Sequence, residues 1–419
     1  MAPAPERRTR RDLLAVAVIT LAVIATAAVV LGTGSAARSG LRAADAEQPT
    51  YGPATGEPTS LRPLWSHPSA GTGAPLVTRG NLVTVRGDTL VGRDAGTGEE
   101  RWSYTHAGAP CAAAFYADSL VAAFHGPAGC SDVTALDTTA QRYAATRQSA
   151  FADTMELRTT WRHALAIAPD RVEIWRDDLV RTVEYGAVEA PQEAGMQPRS
   201  GCTIAGADLT DRRFAVSERC PGEDTARLTL SATVPADSRK PEEVASAPTD
   251  ADGLWIVDVT DDAVLALADR GGRWSVDRFV SPTEHTRVLD LPGAPALPPS
   301  ADTVASDDHQ VRWFDGRATH AFEVGSGAHR WTAPGTTGPG LTGGYEPGPG
   351  TRPLPDWVLV PTAGGFEVLD HRTGDRLRDL PADARDDART RGVTGVAQVG
   401  DILYERRGDA VHAYKMVAG

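Results

Sequence analysis

Four cysteines, Cys111, Cys130, Cys202 and Cys220, carry the clearest chemical meaning in this chain. Their spacing argues for two pairs, 111 with 130 and 202 with 220, because each pair brackets one expected hairpin at nearly equal separation. In the second pair the turn falls near Leu209 to Arg212, which sets the two thiols opposite one another across an antiparallel ladder, within disulfide reach. In an oxidising compartment each bridge would contribute about 3 kcal/mol by restricting its loop; four buried free thiols are the alternative. The remaining reactive types form no set. The ten histidines are scattered, without His-Glu-x-x-His or Cys-x-x-Cys, and His329 and His412 read as surface or packing residues. The acidic runs at residues 258–262 and 302–308 fall between strands and lack the alternation and glycine of a calcium loop. Gly325-Ser326-Gly327 is a turn and lacks the frame of a nucleophile elbow. The expectation is therefore no catalytic residues, no metal and no cofactor.

Charge points the same way. The net charge over 419 residues is −13, and residues 1–44 hold six arginines against Glu6 and Asp12, so the acidity lies wholly in the remainder. Such a body repels phosphate backbones, which argues against nucleic acid as a partner.

The elements that must position these residues begin with a segment of a different kind. Arg7, Arg8, Arg10 and Arg11 precede an uncharged apolar stretch, residues 13–31. As a helix this stretch spans about 28 Å at ~1.5 Å per residue, which matches a bilayer core. The excess of arginine before it places the N-terminus in the cytoplasm and the body outside. A cleaved signal peptide is the competing reading, with small residues at Ser35-Ala36-Ala37 and Ala44-Asp45-Ala46, but the apolar stretch is longer than the ~7–15 residues of a signal core. The expected organisation is a basic cytoplasmic tail at 1–12, a transmembrane signal-anchor at 13–34, a disordered linker at 35–60 rich in Pro, Gly and Ala, and one folded body from 61 to 419.

Within that body, short β-like runs alternate with Gly, Asp and Pro turns, so the expected class is all-β. Groups of strands start near Leu76, Cys111, Thr160, Cys202, Leu254, Thr303, Trp357 and Val393, which predicts eight sheet units, with seven as the nearest alternative. One segment recurs. Asp94-Ala-Gly-Thr-Gly-Glu-Glu-Arg-Trp102 returns as Glu323-Val-Gly-Ser-Gly-Ala-His-Arg-Trp331 and, read as one residue shorter, as Asp370-His-Arg-Thr-Gly-Asp-Arg-Leu377. The acid opens a turn, Thr or Ser supplies a small polar residue, and glycine tolerates positive φ. Trp102, Trp331 and Leu377 are then expected on outermost strands, each packing against the neighbouring unit, because a lone four-stranded sheet cannot bury both faces.

Asp-x-x-Thr-Gly-x-x-x-Trp after a strand resembles the repeat of pyrroloquinoline-quinone-type β-propellers, a fold shared by the non-enzymatic outer-membrane assembly propeller of the BamB type. The resemblance covers roughly residues 61–419 and implies a β-propeller, which the eight strand groups make eight-bladed. It also implies ring closure by an N-terminal strand, with Leu64-Trp65-Ser66 laid beside residues 410–414. The quinone-dependent dehydrogenases of this group hold their cofactor with a stacked tryptophan, a calcium ion and often a disulfide of adjacent cysteines. No adjacent cysteines and no matching calcium ligands exist here. The long Gly/Pro-rich stretch 333–355, with Tyr345 in it and Trp357 just after it, is expected to join two blades on the face that carries the disulfides, and to contact a partner. The functional expectation is a non-catalytic, membrane-anchored, extracytoplasmic scaffold for cell-envelope proteins. A quinone-dependent enzyme and a ligand- or glycan-sensing propeller are the alternatives.

Overall fold

The computed structural model describes residues 9–44, 49, 51–52, 56–70, 74–78, 80–116, 119–139, 141–151, 153–188, 194–237, 239–342, 356–382 and 393–418. Among them the strands form eight antiparallel sheets, and each sheet is built from strands consecutive in the chain except where the ring closes and where Gly40–Arg42 joins the first sheet. The first blade runs Leu76–Thr78, Asn81–Arg86, Thr89–Asp94, Glu100–Thr105, and the other seven repeat that meander. In the eighth, Gly395–Val399, Ile402–Arg407 and Ala410–Ala418 receive a fourth, outermost strand from Pro58–Pro68. Trp65 lies opposite Ala413, so the expected closure is present.

The ring follows from period-two patterning. In the sixth blade Val311, Trp313 and Phe322 pack with Val257, Leu265 and Val276 of the fifth. The residues of alternate parity, Ala321, Trp331 and Ala333, pack with Val358, Val360 and Leu369 of the seventh. The same division recurs at every seam. The last seam joins Leu82 and Ala95 of the first blade to Val399, Ile402 and Tyr404 of the eighth. Strands buried on both faces explain why many of them are apolar almost throughout, as in Trp357–Thr362.

Two boundaries differ from the sequence expectation. The helix spans Arg10–Thr33, starting three residues early because Thr9 and Asp12 form a reciprocal cap: the Thr9 main-chain N–H donates to Asp12 at 2.7 Å, and the Asp12 N–H to Thr9 Oγ1 at 3.3 Å. The expected linker also holds structure. Gly40–Arg42 pairs with Glu100–Thr105 as a fifth strand of the first blade, with Leu41 against its core, and the closing strand starts at Pro58 rather than 61. Edge strands take up short segments whose own periodicity is too brief to read.

Candidate interaction surface

The recurring turn is where sequence chemistry and blade packing meet. Asp94 Oδ1 accepts from the main-chain N–H of Gly96 (3.0 Å) and Thr97 (2.9 Å), and Asp370 Oδ1 accepts from Arg372 and Thr373, both at 2.8 Å. Four residues after each acid stands a glycine with positive φ, +75° at Gly98 and +73° at Gly374. Onto each glycine the preceding blade lowers a tryptophan. The Trp331 indole donates from Nε1 to the His371 carbonyl at 3.1 Å, and a Cβ on Gly374 would stand 2.5 Å from it. Trp65, on the closing strand, donates to the Ala95 carbonyl at 3.3 Å and covers Gly98.

Trp102 is also buried, but differently. The turn it faces holds Gln141, with φ +51°, where the others have glycine. The indole lies instead over its own cross-strand partner Gly92, where a Cβ would stand 2.0 Å away, and packs with Leu120, Phe124 and Leu136 of the second blade.

Leu377 does not fill this role; it is 47% exposed. In the first and sixth blades the residue eight after the acid, Trp102 or Trp331, pairs with the residue two before it. In the seventh the same pairing is Val368 with Arg378, and the register slips past Leu377 as it slips past Arg101 and Arg330. The third copy is therefore full length, with Arg378 in the tryptophan position and a bulge turning Leu377 to solvent. Arg378 pairs with Glu57 at 3.2 Å.

Trp357 is likewise corrected. It is 5% exposed, packed among Leu359, Phe366 and Met416, and opens the second strand of its blade; the first strand is Leu341–Thr342. Tyr345 lies outside the described residues. The rest of the stretch, residues 343–355, also lies outside the described residues, and the joint between blades is the short segment from Gly335 to Gly340, ahead of that first strand. A two-residue first strand carries too little pattern to be recognised, and this hid the true boundary.

Both disulfides are present. Cys202 and Cys220 extend the ladder in which Thr203 pairs with Arg219, with Cα atoms 4.2 Å apart. Cys111 and Cys130 join the first strand of their blade to the third, with Cα atoms 6.2 Å apart. All four sit where blades are joined to one another and where second strands turn into third strands, so both bridges brace one face of the ring.

Near the axis, the inner strands bring Glu156, Arg158, Asp208 and Asp258 together. Arg158 donates to Glu156 at 2.9 Å and to Asp208 at 3.3 Å. The link between blades five and six reaches across to this group, where the Ala301 N–H donates to Glu156 at 2.8 Å. Burial, then the Asp208 charge, pushes the Asp258 carboxyl well above the ordinary range. A carboxyl raised in the folded state is protonated there while the unfolded chain has lost its proton near pH ~4, so stability falls as pH rises above that value. Asp258→Asn should remove this penalty. Urea midpoints for variant and parent should converge at about pH 4 and separate in the variant's favour toward about pH 8; a constant difference would show that Asp258 is not raised.

On the braced face, between blades four and five, lies a cavity of about 250 Å³ lined by Glu218, Arg219, Asp252, Trp255 and Asp269 among others. Sequence reading missed it. Glu218 reads as an ordinary strand residue, and its depth depends on two blades meeting over it.

No family model matches the chain, and a search of curated proteins finds no match. Similar folds occur among solved structures. BamB from Moraxella catarrhalis is 14% identical, with 85% of this chain and 99% of that one covered and a TM-score of 0.49. The computationally designed Ika8 protein is 15% identical, with 85% and 98% covered and a TM-score of 0.53. The C-terminal WD40 domain of Sif2 is 8% identical, with 87% and 100% covered and a TM-score of 0.51. At such identities likeness speaks for the fold alone. With its eight sheets closed by an N-terminal strand, as the BamB-type resemblance implied, the protein is an eight-bladed β-propeller.

Proposed function

We propose that this propeller is a non-catalytic scaffold held at the cell membrane by its N-terminal helix, with the ring outside the cytoplasm, where it assembles cell-envelope proteins. The observation that carries the reading is the contrast between the two parts. Every apolar side chain of the helix is exposed, from Leu13 at 57% to Leu31 at 74%, while the ring buries its own apolar residues at eight seams. A helix this apolar that packs on nothing in its own chain suits a lipid environment. The braced disulfides suit an oxidising compartment. Partners would meet the ring through its turns and loops, which surround a rigid frame.

Intact cells treated with an amine-reactive crosslinker that cannot cross membranes should yield the ring joined to a reproducible set of envelope proteins, identified by mass spectrometry. External protease should cut the ring and spare the N-terminal tail. A ring protected from protease, or a chain recovered without crosslinked partners, would sink the reading.

A further inference from the structure

The anchor helix and the ring are joined by very little chain. The helix ends at Thr33, and Gly40 is already in register with Thr105 as part of the outermost strand of the first blade, so only residues 34–39 lie between. Four of them, Ser35–Arg38, form a turn of 3-10 helix, which rises ~2 Å per residue against ~3.4 Å for extended chain. From Thr33 to Gly40 the chain therefore spans at most about 20 Å as folded and about 25 Å pulled straight. The headgroup layer alone takes up about 5–8 Å of that. The strand that receives this connection is firmly held. Leu41 packs against the core shared by Trp102, Tyr104 and Phe124, Arg42 pairs with Glu100, and the Ala44 N–H donates to the Gln141 side chain in blade two.

The place of attachment is the rim, and the rim differs from the face beside it. Around Gly40–Arg42 the exposed groups include Arg42, Arg142 and the half-exposed Tyr143, whose ring meets Tyr104 edge-on with centroids 5.7 Å apart. Glu100, the acid beside Arg42, is also paired with Arg86, and Asp137 is paired with Arg142, so both carboxylates are covered by guanidinium groups. Guanidinium groups match headgroup phosphates, and tyrosine rings settle at the boundary between lipid and water. The disulfide-braced face is the reverse. Its turns between second and third strands carry exposed Asp88, Asp170, Asp224 and Asp409 in blades one, three, four and eight, which headgroup phosphates repel. A ring fastened at this rim is thereby tipped with its acidic face away from the lipid.

We propose that the ring stands on edge against the membrane, with the rim of blades one and two seated on phospholipid headgroups. This seating rests on the membrane-anchored reading and deepens it, since a ring on edge leaves both faces open to envelope partners. The short connection sets the distance, Gly40–Arg42 sets which blade is nearest, and Arg42, Arg142 and Tyr143 make the contact.

Short-range quenching tests this with the full chain reconstituted through its helix into vesicles of phosphatidylcholine and phosphatidylglycerol. A bimane label is attached at Ala144→Cys in blade two or at Arg330→Cys in blade six, directly across the ring; each is the exposed, bulged residue of its outermost strand, so the two stand at the same level. The four native cysteines are held in the two disulfides and do not take the label. Blades facing each other span about 30 Å of strands alone, at ~4.8 Å between strands, so a ring on edge keeps the far label out of reach. Phosphatidylcholine carrying a headgroup nitroxide should quench the label at 144 about threefold more than the label at 330. Leu41→Asp, which drives the tethering strand off the blade while Pro58–Pro68 still closes the ring, should remove most of that difference. Equal quenching at the two positions in chains that float with the vesicles would overturn the seated rim, as would a difference left intact by Leu41→Asp in a folded ring. A chain that does not float would overturn the anchor and the seated rim together, which tells the two failures apart.

Discussion

A chain beginning at Ser69 should lose the cooperative thermal transition that a chain beginning at Ser39 retains. The difference between them includes Pro58–Pro68, the outermost strand of the eighth blade, which pairs with Ala410–Ala418 along its full length. Without it, that strand's far edge is left bare, and an unpaired edge of this length invites association with other chains. Leu61 leaves the seam between blades seven and eight, and Leu64 and Trp65 leave the seam between eight and one. Because each blade is stabilised mainly by its neighbours, an open ring has two exposed ends where the closed ring has none. Circular dichroism melts would show a broad or absent transition and aggregation for the shorter chain, and a synthetic peptide of residues 57–68 should restore part of it. A shorter chain melting within a few degrees of the longer one would show that closure is dispensable.

Trp331→Ala should cost about 3–5 kcal/mol, near the upper end for a single core residue. The indole is 5% exposed, seals the seam between blades six and seven, and gives the His371 carbonyl one of its two side-chain donors, the other being Gln310. Gly374→Val attacks the same joint from the other side. Its backbone sits at φ +73°, which β-branched residues resist, and its Cβ would overlap the indole at 2.5 Å. Urea denaturation of both single variants and the double variant forms a cycle. The combined loss should be smaller than the sum, because a valine at 374 no longer collides once the indole is gone. Strict additivity would mean that the tryptophan and the turn do not touch.

The corrected positions show where reading by sequence stops. Trp102, Trp331 and Trp65 were recognisable because a bulky aromatic stands at a fixed offset from a turn or beside a closing strand. Leu377 misled because a one-residue bulge separates sequence offset from strand register, and only pairing Val368 with Arg378 reveals which side chain faces the next blade. Trp357 misled because apolar residues on a strand buried on both faces look alike whether the strand is first or second. Glu218 gave no signal at all.

Local chemistry determined the cysteine pairs, the helix with its capping Thr9 and Asp12, the Asp-x-x-Thr-Gly turns and the all-β class, because each depends on residues close together in the chain or on simple alternation. Ring geometry alone decided which face each loop occupies, which tryptophan seats on a neighbour's turn, and that Glu218 is buried against Tyr185 of the preceding blade. Those outcomes depend on contacts between separate blades, and burial of a charged group is a property of what closes over it rather than of its own strand.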